Sequence, residues 1–246
     1  MRTLQYNFVY KFWLVSCIAQ VGFSVADFKE YTTILRGKSG NIFDFILFSV
    51  NHAYFIALVG PISLFCLMKC YTTMDVIVMN RFHKKKDYFY DRLGCGIINA
   101  MVWVIITMLI RLIVGMIAGY GTDYPFTYYV EFNNYNKVAY IIVLQFTLFM
   151  SAYLIAFIWV REIIQDFVSN QVLRSIVPLI LSIIELAIYK SLNYTMLVIF
   201  PLGNTLINSE VYVGSFFNRI VYWAFVLYSL YYIKTEFLCD KEITNE

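Results

Sequence analysis

Long apolar runs separated by short polar stretches dominate the chain, and their length settles the class of fold. A helix needs about 20 mainly apolar residues to cross a hydrocarbon core of roughly 30 Å. Six runs meet that length, at residues 10–28, 44–69, 95–119, 138–160, 173–200 and 216–234. They are too long and too continuously apolar for barrel strands, which alternate over short segments. The pattern predicts an all-α, polytopic integral membrane protein with six transmembrane helices in one membrane domain, residues 1–246. The first run follows Arg2 and Lys11 but has no small-residue cleavage site, ending in Val25, Ala26, Asp27 and Phe28, so it reads as an uncleaved span.

Composition agrees: 61% of the residues are hydrophobic and 14% charged, more apolar surface than a water-soluble domain buries. The formal charge of +3 gives no reason to look for nucleic acid. The five cysteines form no CxxC pair, and the two histidines, His52 and His83, join no ligand cluster, so neither a metal nor another cofactor is expected.

Lys and Arg in short loops stay on the cytosolic side. With the N-terminus inside, that side holds Arg2, Lys11, Lys69, Arg81, Lys84, Lys85, Lys86, Arg92, Arg161, Arg174, Lys234 and Lys241, against Lys29, Arg36, Lys38 and Lys137 outside. A multi-pass protein of the cell (plasma) membrane with both termini cytosolic is expected. The outer stretch 120–137 is rich in Tyr and Phe and reads as an aromatic belt at headgroup level or part of a substrate exit. The stretch 200–215, with Pro201, Gly203 and Gly214 and no Lys or Arg, reads as a broken segment dipping back into the membrane.

The segment NRFHKKKDYFYDRLG, residues 80–94, gathers Arg81, Lys84, Lys85, Lys86 and Arg92 in the first cytosolic loop. On a helix, Phe82, Phe89 and Leu93 fall on one side and Lys84, Asp87 and Asp91 on the other. Such a helix anchors at the membrane surface, Lys85, Lys86 and Arg92 reaching anionic headgroups, each worth about 1 kcal/mol. The outward face bears both charge signs, as a docking surface does.

Residues 76–110, VIVMNRFHKKKDYFYDRLGCGIINAMVWVIITMLI, resemble the corner between spans two and three in membrane-spanning permease subunits of small bacterial type-2 ABC exporters. In that family an Arg closes span two, a short basic helix follows, and an aromatic and basic step leads into span three. The resemblance extends to layout, with an interfacial N-terminal helix carrying Leu4, Phe8 and Phe12. It implies that 80–92 is a coupling helix, with Arg81, Lys84, Lys85, Lys86, Asp87, Asp91 and Arg92 meeting a separate ATP-binding cassette ATPase. A second permease copy or a paralogue, and membrane lipids, are the other implied partners. An amphipathic peptide or lipid-like compound is the implied substrate class.

ATP hydrolysis by this chain is not expected. Gly37-Lys38-Ser39 has the end of a phosphate-binding loop, but position 32, where that loop needs glycine, is Thr. No catalytic set stands out, so the chain is not read as an enzyme. Glu162 and Asp166, four apart beside Arg161, read as a solvated cytosolic pair. Arg111 and Glu185 lie inside predicted spans, where charge is costly and calls for a partner or a wet cavity. They read either as an Arg–Glu pair locking two helices or as the lining of a path. A secondary transporter or channel, and a non-transporting membrane immunity protein, are the alternative functions.

Overall fold

A computed structural model describes residues 2–72, 85–130, 132–133, 139–168, 171–191, 201–206 and 212–238. Among these the protein is helical, with one isolated bridge pairing Asn41 and Gly121. The helices are α1 (Arg2–Leu35), α2 (Ile42–Val50), α3 (Gly60–Thr72), α4 (Lys85–Ile117), α5 (Ala139–Phe167), α6 (Gln171–Ser191), α7 (Pro201–Thr205) and α8 (Tyr212–Tyr232). Wider π-helical turns occupy Phe55–Val59, ahead of α3, and Ile233–Leu238, after α8.

Three helical stretches are long and apolar enough to cross a membrane: Lys11–Leu35, Tyr90–Ile117 and Ala139–Ile164. A fourth crossing arises if α2 and Phe55–Cys66, bent by 60° across a short break, act as one span. Along α4, Ile98, Met101, Ile105, Leu109, Ile113 and Met116 point outward at helical spacing, the surface that lipid would cover. The helix α5 is buried on all sides from Ser151 to Trp159. An all-round apolar helix belongs at the centre of a bundle, and α2, α3, α4, α6, α7 and α8 all pack on α5. Two glycines permit close approach to α5: a Cβ on Gly60 would meet Leu154 at 2.8 Å, and one on Gly96 would meet Ile158 at 2.8 Å.

Several expectations change. The six-span count is not reproduced among the described residues. No separate interfacial helix precedes the first span, because Arg2–Leu35 is one helix whose 34 residues extend for about 50 Å. The expected second span, 44–69, is broken at 51–52. Asn51 ends α2, its amide bonding Leu47 O at 2.8 Å while its side chain donates to Tyr129 Oη at 2.9 Å. Pro61 then accounts for the π turn: it has no N–H for the Ala57 carbonyl and its ring crowds that carbonyl, so the preceding turn widens, Gly60 N bonding Phe55 O. Residues Lys85–Arg92 are not a separate coupling helix but the first turns of α4. The fifth run ends as helix at Ser191; residues 192–200 lie outside the described set.

The outer stretch is more than a surface belt. Phe126 and Phe132 are buried and meet edge to face, with ring centroids 6.1 Å apart. At the end of α1, Arg36 (φ 49°) and Gly37 (φ 82°) turn the chain through the left-handed region, and Lys38 N closes on Leu35 O at 3.0 Å. Asn41 then caps α2, its Oδ1 accepting from Phe43 N (2.8 Å) and Asp44 N (3.2 Å).

Candidate functional site

The buried face of α1 is polar. Ser16, Gln20, Ser24 and Tyr31 are all buried, and half-buried Asp27 continues their row, at spacings of three and four. That row packs on α2 and α4, where Asp27 meets Ser49 and Gln20 meets Arg111, two further buried polar side chains. Intramembrane polar groups are confined to protein-facing positions by the cost of exposing them to lipid. A polar seam therefore runs between α1, α2 and α4.

Arg111 is its centre and is fully buried. Its Nε donates to Ser49 Oγ at 3.0 Å; Nη1 donates to Gln20 Oε1 at 2.7 Å and to Thr107 O at 3.2 Å. The guanidinium lies over the Phe55 ring, 4.7 Å from its centroid, so the π turn supplies the packing on one side. Ser49 Oγ in turn donates to Asp27 Oδ2, so one hydroxyl relays between a buried cation and a carboxylate. Replacing Ser49 by Ala removes that relay and is expected to cost about 1–3 kcal/mol, the range for leaving a buried partner unsatisfied. A thermal unfolding midpoint in lipid nanodiscs no lower than wild type would show that the relay carries no stability.

The pairing of Arg111 with Glu185 is not what the structure shows. Glu185 Oε2 accepts from Tyr153 Oη at 2.9 Å and Oε1 accepts from Leu202 N at 2.7 Å, so it ties α6 to central α5 and to short α7. Glu162 is corrected too. It is buried on α5, bonded to Arg92 at 3.3 Å with Arg161 at 3.5 Å, and Lys234 Nζ donates to its backbone carbonyl at 2.8 Å. Arg92 is therefore 7% exposed, inside the bundle rather than reaching lipid headgroups. Of the other proposed docking residues, Asp91 is exposed, Lys85, Lys86 and Asp87 lie on the opening turn of α4, and Arg81 and Lys84 lie outside the described residues.

Asp44 accepts four hydrogen bonds. Oδ2 accepts from Tyr31 Oη (2.8 Å), Thr127 N (2.7 Å) and Tyr128 N (2.8 Å), and Oδ1 accepts from Tyr129 N (3.0 Å). The loop after α4 is folded around this side chain. Asn41 Nδ2 adds bonds to Thr122 O (3.3 Å) and Tyr124 O (2.5 Å). Beside it, Tyr120 packs edge-on against Tyr31 and Phe45, and burial pushes its phenol up to about 12.

Sequence reasoning missed the α1 row and Asp44. The row was readable: polar residues recur at helical spacing in a run whose other positions, Val15, Ile18, Val21 and Val25, are apolar and exposed. Compared with known protein families, curated proteins and solved structures, the chain finds no match.

Proposed function

We propose that the chain is the membrane subunit of an ATP-driven exporter, crossing the cell membrane six times and docking a separate ATPase at residues 80–92. The observation that carries this reading is the continuity of α4. Its 33 residues extend for about 50 Å, well beyond a hydrocarbon core of roughly 30 Å. The charged Lys85–Arg92 turns thus project past the apolar part on the same rigid rod that carries Arg111 into the seam. A push on the first turns by a closing ATPase dimer moves the seam directly.

The arrangement of ends supports the orientation. Gly96 meets Ile158 and Arg92 meets Glu162, so α4 and α5 are antiparallel; Phe216 meets Phe149 and Lys234 meets Glu162, so α8 is parallel to α5. Contacts of Gln20 with Arg111 and of Tyr31 with Tyr120 make α1 parallel to α4. Both ends of the bundle's chain then fall on the face where Arg92, Arg161 and Lys234 gather, the face that the distribution of basic residues favours as cytosolic. In this reading α6 and α8, each 21 residues long, supply the fifth and sixth spans. A second permease copy completes the path.

Alanine at Lys84 and Asp87 together should reduce recovery of the ATPase with the tagged protein at least fivefold, with membrane insertion unchanged. Undiminished co-purification of an ATPase would place the contact elsewhere. A second reading, transport driven by an ion gradient, rests on the Asp27–Ser49–Arg111 relay, and transport without any ATPase would favour it.

A further inference from the structure

Arg111 and Glu185 both lie deep in apolar helices, and their surroundings differ in kind. Arg111 reaches the Asp27 carboxylate through Ser49. Glu185 has only neutral donors, Tyr153 Oη on Oε2 and Leu202 N on Oε1, and among the described residues no Lys or Arg pairs with it. The cations nearest in the chain are turned elsewhere. Lys190, five positions along α6, sits over the Tyr54 ring, 4.0 Å from its centroid, and Arg219 of α8 lies over the Phe149 ring at 5.8 Å.

The groups that do surround Glu185 are uncharged. Tyr153 also bonds Ser182, one turn earlier on α6, and its ring meets Trp223 of α8 edge to face with centroids 6.3 Å apart. Tyr222 of α8 is a further titratable group within electrostatic reach. The π turn and α7 carry no titratable side chain, and Cys66, the first on α3, stands six residues or about 9 Å beyond Gly60, which packs beside Tyr153 on Leu154.

Depth decides what such a carboxylate does. Tyr153 is the fifteenth of the 26 residues of Ala139–Ile164, so its hydroxyl holds Glu185 near mid-membrane. An ionised carboxylate there is costly without a cation, and two neutral donors offset only part of that cost. A proton removes the charge and needs no cavity, because each Glu185 oxygen accepts one bond and has a second lone pair to carry hydrogen. The side chain is part-exposed, so a proton reaches it without unpacking the bundle. Hydrogen bonds to an ionised group are roughly twice as strong as neutral ones. The ionised form therefore holds the Leu202 amide firmly and the protonated form holds it loosely.

We infer that Glu185 is a proton-binding site near mid-membrane, and that its ionised form latches α7 to α6. The inference goes beyond the exporter reading and holds equally if an ion gradient drives transport.

The test uses the full chain in lipid nanodiscs, followed by infrared spectroscopy from about pH 4 to about pH 9, the range over which carboxyls titrate in proteins. The wild type should show the carbonyl band of an un-ionised carboxyl that fades as pH rises and is missing in Glu185→Gln. Tyr153→Phe keeps the carboxyl but removes one of its bonds, so the band persists at a shifted frequency; this variant carries the assignment should Glu185→Gln fail to fold. Hydrogen exchange of residues 201–206, corrected for its intrinsic pH dependence, reads the latch. Above the midpoint of the band, exchange should be about tenfold faster in Glu185→Gln than in wild type, the difference between a charged and a neutral acceptor. Below the midpoint the two should match. Spectra of wild type and Glu185→Gln that superimpose over the whole range overturn the site, as does an unshifted band in Tyr153→Phe. Equal exchange above the midpoint overturns the latch.

Discussion

Replacing Asp44 by Ala is expected to lower the stability of the protein by about 3–5 kcal/mol, because several buried donors are stranded at once at about 1–3 kcal/mol each. The side chain is fully buried and accepts four hydrogen bonds, three of them from the consecutive amides of residues 127–129 and one from Tyr31. Alanine strands those donors. Asn is a sharper probe, because it keeps the size of the side chain but has one acceptor oxygen where Asp has two. Part of the loop then loses its anchor, and Asp44→Asn should fall between wild type and Asp44→Ala. The readouts are the unfolding midpoint in nanodiscs and protease cleavage within 120–130. A midpoint for Asp44→Ala within a degree of wild type would mean that the loop is held by its buried rings alone.

The second large effect is at the opposite face. Glu162→Ala removes the carboxylate that Arg92 and Arg161 share, and is expected to cost about 3–5 kcal/mol. Much of that cost comes from the buried cations that remain, so replacing Arg92 by Met in the same protein should recover part of it. A double-mutant cycle on Arg92 and Glu162 should show a coupling of about 1–3 kcal/mol. Additive effects would show that the ion pair adds nothing beyond each residue's own packing. The Lys234 contact, made to the Glu162 backbone, should persist in every variant.

What the sequence made legible follows from which interactions are local. Apolar runs mark membrane helices by length, and Arg111 declares itself as a charge inside such a run. Its partners could not be read the same way, since they depend on the rotational phase of three helices; Gln20 is 91 positions away and Ser49 is 62. Arg92 and Glu162 are 70 positions apart; the one reads as a headgroup contact and the other as a solvated loop charge until α4 and α5 run on beyond their apolar cores. The break in the second run was local. Asn51 and His52 interrupt the apolar residues and Pro61 follows, a polar stop and a missing donor within one stretch. The α1 row was equally local, but a scan for long apolar runs averages over a helix face and so hides a polar stripe.

Photo-crosslinking in the native cell reads out whether an ATPase docks on the opening turns of α4. Asp91 is exposed on those turns, and Tyr228 is exposed on α8 facing away from the bundle. A photoreactive amino acid is placed at each position in turn, and the adducts are identified by mass spectrometry. The account predicts an adduct between position 91 and a protein bearing an ATP-binding cassette, with none at position 228. The same protein set at both positions, with no ATPase in either, would contradict it.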